Sequence, residues 1–124
     1  GAQTVTVTFT GTISQVVAGS VSFTGVDQVI PTGAFSGAAG GNPPPSPSVT
    51  VTSAANDLVV DTLVVDTNPS SVSAGTGQTP RWNVSRSMWA AGSTKPGAAS
   101  VTMTWTENGG ADDWALGAVD IHGG

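Results

Sequence analysis

The ten residues Asp57 to Asp66, DLVVDTLVVD, constrain the fold more than any other stretch of the chain. Leu58, Val59, Val60, Leu63, Val64 and Val65 leave neither side of an extended strand polar. Both faces therefore need cover, and the segment reads as a central strand inside a core. A helix competes, because residues 59, 60, 63 and 64 also make a helical stripe. Four valines, a threonine and the flanking turn residues favour the strand.

Other segments repeat the pattern more weakly. Gln3 to Thr10 (QTVTVTFT) alternates strictly, with Val5, Val7 and Phe9 on one face and threonines on the other, which predicts a half-buried strand. Gln15 to Gly25 predicts a second, in which Gly19 marks a bulge or the close approach of another backbone. Ala34 to Gly37 reads as a short strand. The Pro-rich run 38–47 (AAGGNPPPSP) reads as a long surface loop, extended by three consecutive prolines that cannot join a ladder. Ser48 to Ser53 alternates again, and the turn Ala54-Ala55-Asn56 predicts an antiparallel hairpin with the central strand.

Beyond a polar loop at Thr67 to Gly77, Gln78 to Ser85 and Ser87 to Gly92 read as a pair of strands. Ala99 to Glu107 places Val101, Met103 and Trp105 on a buried face, and Asp113 to Ile121 sets Trp114, Leu116 and Ala118 on one side. No stretch makes a helix. Eight or nine short strands with frequent turns predict an all-β fold: one antiparallel β-sandwich of jelly-roll type over residues 1–124.

Composition narrows the partners. Only 9% of residues are charged and the formal net charge is −5, with Arg81, Arg86 and Lys95 the only strong bases. This gives no footprint for nucleic acid or anionic lipid. A surface of hydroxyls and small groups suits a protein outside the cell or one packed against copies of itself. No cysteine is present, so the fold stands on packing without disulfides. No apolar run is long enough for membrane insertion as a helix. The start Gly1-Ala2-Gln3 is neither a signal peptide nor an initiating methionine, which predicts a piece of something longer.

Val21 to Gln28 (VSFTGVDQ), Val49 to Asp66 (VTVTSAANDLVVDTLVVD), Gln78 to Asn83 (QTPRWN) and Val101 to Ile121 (VTMTWTENGGADDWALGAVDI) together resemble a family of β-sandwich modules. Such modules occur in large secreted or surface-attached bacterial and archaeal proteins. The resemblance implies a sandwich with no catalytic motif. It also implies that this chain corresponds to the later part of the module, because family members begin with further strands before a segment similar to Gly1 to Gly11. A sandwich short of strands exposes backbone groups and apolar face. A strand from a neighbouring chain would complete it; alternatively, the strands present close a compact sandwich by themselves.

The residues that could carry chemistry are few. His122, the only histidine, lies two residues from the end of a glycine tail, which does not suit a catalytic imidazole. One histidine and no cysteine fall short of a zinc set, so neither catalytic nor metal residues nor a cofactor are expected. Glu107, Asp112 and Asp113 flank a glycine turn and read as a solvated hairpin tip or a weak calcium site. Asp61 interrupts the central strand. It either faces solvent at a sheet edge or accepts hydrogen bonds from a neighbouring Thr or Trp, because an unpaired buried carboxylate is costly.

Trp105 and Trp114 read as core. Trp82 and Trp89 sit in RWNVSRSMW, and a two-residue turn at Ser85-Arg86 would set them opposite each other as a flat platform beside Arg81 and Asn83. Trp82, Trp89, Arg81 and Asn83 are thus the candidate binding residues, for core packing, an interface or a sugar ring. Asn83-Val84-Ser85 matches a glycosylation sequon. The sequence favours a non-enzymatic extracellular structural module that assembles with copies of itself into a filament or surface layer. A carbohydrate-binding or adhesin module, with a polysaccharide partner, is the alternative.

Overall fold

The structure, a computed structural model, describes residues 3–41, 46–66, 69–109 and 112–124. Eight strands follow in chain order: β1 (Thr32–Gly40), β2 (Ser48–Val51), β3 (Leu58–Val65), β4 (Ser71–Ala74), β5 (Thr79–Ser85), β6 (Trp89–Pro96), β7 (Val101–Asn108) and β8 (Trp114–Ile121). They form two antiparallel sheets, ordered β1-β8-β3-β6-β5 and β2-β7-β4. The chain is an all-β sandwich, and no helix occurs among the described residues. The strands divide five and three, with β5 beside β6 rather than completing the smaller sheet.

The core lies between the sheets. From the large sheet come Val59, Leu63 and Val65 of β3 with Trp114, Leu116 and Ala118 of β8. From the small sheet come Val49 and Val51 of β2, Val72 of β4, and Val101, Met103 and Trp105 of β7. The sets from β2, β7 and β8 repeat every second residue, and that of β3 does so with the buried Asp61 at its second place, so the period is the pleat of the strand. Each of the larger of these side chains stabilises the fold by roughly 1.5–3 kcal/mol on burial. β3 occupies the centre of the large sheet, as its sequence predicts, and pairs with both β8 and β6.

Several expectations are corrected. Residues 3–10 and 15–25 form no strand, and the chain before β1 makes one isolated bridge, Val26 to Gly123. Alternation prepares a segment for a sheet, but a strand exists only beside another backbone, and no described segment lies there. The hairpin of Ser48 to Ser53 with the central strand is also absent. β2 pairs with β7, and the turn, with Asn56 at positive φ, carries the chain from one sheet to the other. The polar loop 67–77 contains β4. β1 runs from Thr32 to Gly40, taking in Ala38 to Gly40 from the Pro-rich run. Pro43 to Pro45, the basis of the polyproline expectation, lie outside the described residues. Pro47 is buried, and its carbonyl accepts a hydrogen bond from Trp105 N at 2.9 Å.

Candidate functional site

Strand register defines the outer face of the large sheet. Opposed residues of antiparallel strands share a face. Phe35, Val119 and Val60 therefore form one rung across β1, β8 and β3; Gly37, Gly117 and Thr62 form the next; Ala39, Ala115 and Val64 form a third. None is ionisable. Phe35 and the second and third rungs, with Ala38 and Leu116, line an open trough of about 610 Å³. The Phe35 ring lies over the middle rung, since a Cβ at Gly37 or Gly117 would come within 3.5 Å of it. Phe35 is nevertheless 71% exposed.

The other half of the same face is covered. Trp82 of β5 opposes Gly92 of β6, and Gly19 from the N-terminal segment packs on the indole so closely that a Cβ there would overlap it. Gly19 thus serves the close approach of a ring, not the bulge or backbone approach that its sequence position predicts. Phe23 and Val21 line a small cavity of about 130 Å³ with Val60, Thr62 and Trp82. Further along, Asp27 N donates to His122 O at 3.0 Å, Gly124 N to Gly25 O at 2.7 Å and His122 N to Pro31 O at 3.1 Å. These bonds tie residues 25–31 to the end of β8. Residues 3–16, in contrast, are exposed throughout. Among the described residues, the large apolar side chains that face solvent all fall between Val5 and Phe35.

The platform expected of Trp82 and Trp89 does not form. Ser85 pairs with Trp89, so the turn has three residues, Arg86-Ser87-Met88, closed by Arg86 N donating to Met88 O at 2.9 Å. This register puts Trp82 on the outer face and Trp89 on the inner face, where it packs against the core and donates its Nε1 proton to Asn83 Oδ1. Asn83 also donates to Val72 O at 3.0 Å, joining β5 to β4, and Arg81 Nε donates to Thr94 Oγ1 at 2.8 Å. Arg81 and Asn83 are therefore engaged within the fold.

Three acidic sites acquire definite surroundings. Asp61 is buried and accepts from Ser93 N at 2.7 Å, Ser93 Oγ at 2.8 Å and Trp105 Nε1 at 2.7 Å. Burial still holds its carboxyl above the ordinary value, against the pull of those donors. Glu107 is also raised, by burial first and by the neighbouring Asp112 second. Among the described residues its buried Oε1 has no partner.

At the opposite end, Asp57, Asp120 and His122 bring one ligand atom each within 4.8 Å of one another, a grouping that their spacing in sequence does not reveal. His122 is held rather than loose: Nδ1 meets Ile30 O at 2.9 Å and Nε2 faces Asp120 Oδ2 at 3.3 Å. Asp120 accepts from Ser53 Oγ at 2.7 Å, and Asp57 from Gly123 N at 3.0 Å. These groups could share a cation, but each already has a partner within the fold.

No family model, curated protein or solved structure matches this chain. Fold and surface therefore carry the functional reading.

Proposed function

We propose that this sandwich is a non-enzymatic structural module of the cell exterior, which assembles with copies of itself into a filament or surface layer. The observation that carries the reading is the open half of the outer face, three uncharged rungs from Phe35–Val119–Val60 to Ala39–Ala115–Val64. Contiguous apolar surface of this kind marks an interaction site. Low charge supports the same reading, because copies can approach without desolvating ions. The engagement of Asp61, Asp120 and His122 within the fold supports a structural rather than a catalytic use of these groups.

Sedimentation velocity over a dilution series, with electron microscopy of the concentrated sample, tests the proposal. Species that grow with concentration and appear as fibres, rings or sheets are expected. A monomer at every concentration would remove it.

A further inference from the structure

Three of the four sheet edges of the sandwich are short or interrupted. β2 and β4 have four residues each. β5 carries Pro80 and Arg81 where its register with β6 shifts. Short length, proline, charge and bulges are the devices that keep an edge from pairing with another chain. β1 is different. Its one irregularity is at its start, between Thr32 and Phe35, and from Phe35 to Gly40 it runs evenly, uncharged and free of proline. Among the described residues it pairs with β8 alone.

The chain also holds an alternating segment, residues 4–10, that pairs with no strand among the described residues. Val5, Val7 and Phe9 are 72%, 63% and 50% exposed. Gly19, nine residues beyond the segment, packs on Trp82 of β5. β5 lies four strand spacings, about 19 Å, from β1.

We propose that residues 4–10 of one copy add as a strand to the free edge of β1 in a second copy. Val5, Val7 and Phe9 then continue the outer face beside Phe35, Gly37 and Ala39. Strand addition satisfies the backbone groups of both partners, while alternate side chains supply the apolar contact. The lengths agree: seven residues span about 23 Å and Phe35 to Gly40 about 20 Å. Neither partner carries an ionisable side chain in these stretches, so no charge is buried. Donor segment and acceptor edge are different parts of the copy. The contact is therefore head to tail, and it continues as a fibre or closes as a ring.

The inference rests on the self-assembly proposed above, and a mixing experiment separates the two. Val7→Asp disables the donor and Ala39→Asp the acceptor. Both positions are exposed, so both variants keep the fold, checked by circular dichroism and tryptophan fluorescence. Each variant alone should need at least about tenfold more protein for half assembly, since a carboxylate would have to be desolvated. An equimolar mixture retains one intact donor facing one intact acceptor. It should give heterodimers and nothing longer. Assembly of either variant at wild-type concentration, or a mixture without heterodimers, overturns the strand addition and leaves self-assembly standing; a wild type that never associates overturns both.

Discussion

Trp105 Nε1 donates a hydrogen bond of 2.7 Å to Asp61 Oδ2 across the interior of the sandwich, linking the central strand of one sheet to the central strand of the other. Both residues are buried. Gln78 Nε2 lies 3.3 Å from the same oxygen and also donates to Ser93 Oγ at 2.8 Å, so the carboxylate gathers donors from β6, β7 and the turn before β5. A charge inside a core is tolerable only when its lone pairs are so occupied.

Removing that carboxylate leaves several buried donors without an acceptor. Asp61→Ala should therefore cost about 3–5 kcal/mol, more than its small loss of volume explains. Trp105→Phe removes one donor and part of a large side chain, at about 1–3 kcal/mol. Urea unfolding of the single variants and the double variant checks this. The double variant should be more stable than the sum of the single losses predicts, because the two groups share one bond. Strict additivity would mean that the bond contributes nothing.

The pH dependence of stability follows from the raised carboxyls. Glu107 is held above its ordinary value of 4.5 and Asp61 above 3.8, so the folded chain takes up these protons more readily than the unfolded chain. Their favourable contribution is complete below the unfolded values and is lost as pH rises through the folded ones. Glu107→Gln should consequently gain on the wild type as pH rises from about 4 towards 7. Asp27 works in the opposite direction. The amides of Ile30 and Val29 hold its carboxyl below the ordinary value, so its stabilisation exists above 3.8 and fades as pH falls through the folded value. Denaturant titrations of Glu107→Gln and Asp27→Ala between pH 3 and 7 should give difference curves of opposite slope.

The legibility of this chain divides along a physical line. β7 and β8 are evident in the sequence because each has a two-residue apolar period, and β3 because it is apolar on both faces, and all three have the neighbours to realise it. Residues 3–10 have the same period and no neighbour, so the pattern reports a capacity rather than a strand. Pairing is hidden for a related reason: alternation specifies which face of β2 is buried but is silent on whether β3 or β7 lies beside it. A one-residue change in turn length sends a side chain to the other face, which is why Trp82 and Trp89 separate. The kind of partner for Asp61 is readable, since a buried acid needs a donor. His122 is not readable, because its partners Ile30 and Asp120 meet it only through the completed fold.

Gly92 tests how the covered half of the outer face is built. A Cβ on Gly92 would press on the Trp82 indole, 2.8 Å from Cε2, and on the carbonyl of Asp61 at 3.0 Å. The carbonyl belongs to a central strand and cannot retreat, so the indole must lift. Gly92→Ala should cost about 1–3 kcal/mol and expose Trp82. In a variant with Trp89, Trp105 and Trp114 replaced by Phe, a red-shifted emission from Trp82 would report the displacement. Unchanged emission would show that the ring tolerates the methyl.

Deletion of residues 1–16 separates folding from association. The described part of this stretch is exposed throughout and forms no pair in the sheet, whereas residues 17–31 cover Trp82 and bind the end of β8. A chain starting at Val17 should unfold at nearly the same denaturant concentration as the full chain, with a change under about 0.5 kcal/mol, the usual range for surface substitutions remote from packed or bonded groups. The same chain should fail to assemble while still accepting a strand from an intact copy, because its β1 edge is unaltered. Deletion through Pro31 is different in kind: it strips the cover from Trp82 and frees the ring of His122, and the midpoint should fall. If the shorter deletion also lowered the midpoint substantially, residues 3–16 would have to be packed on their own chain, and no donor strand would be left to offer.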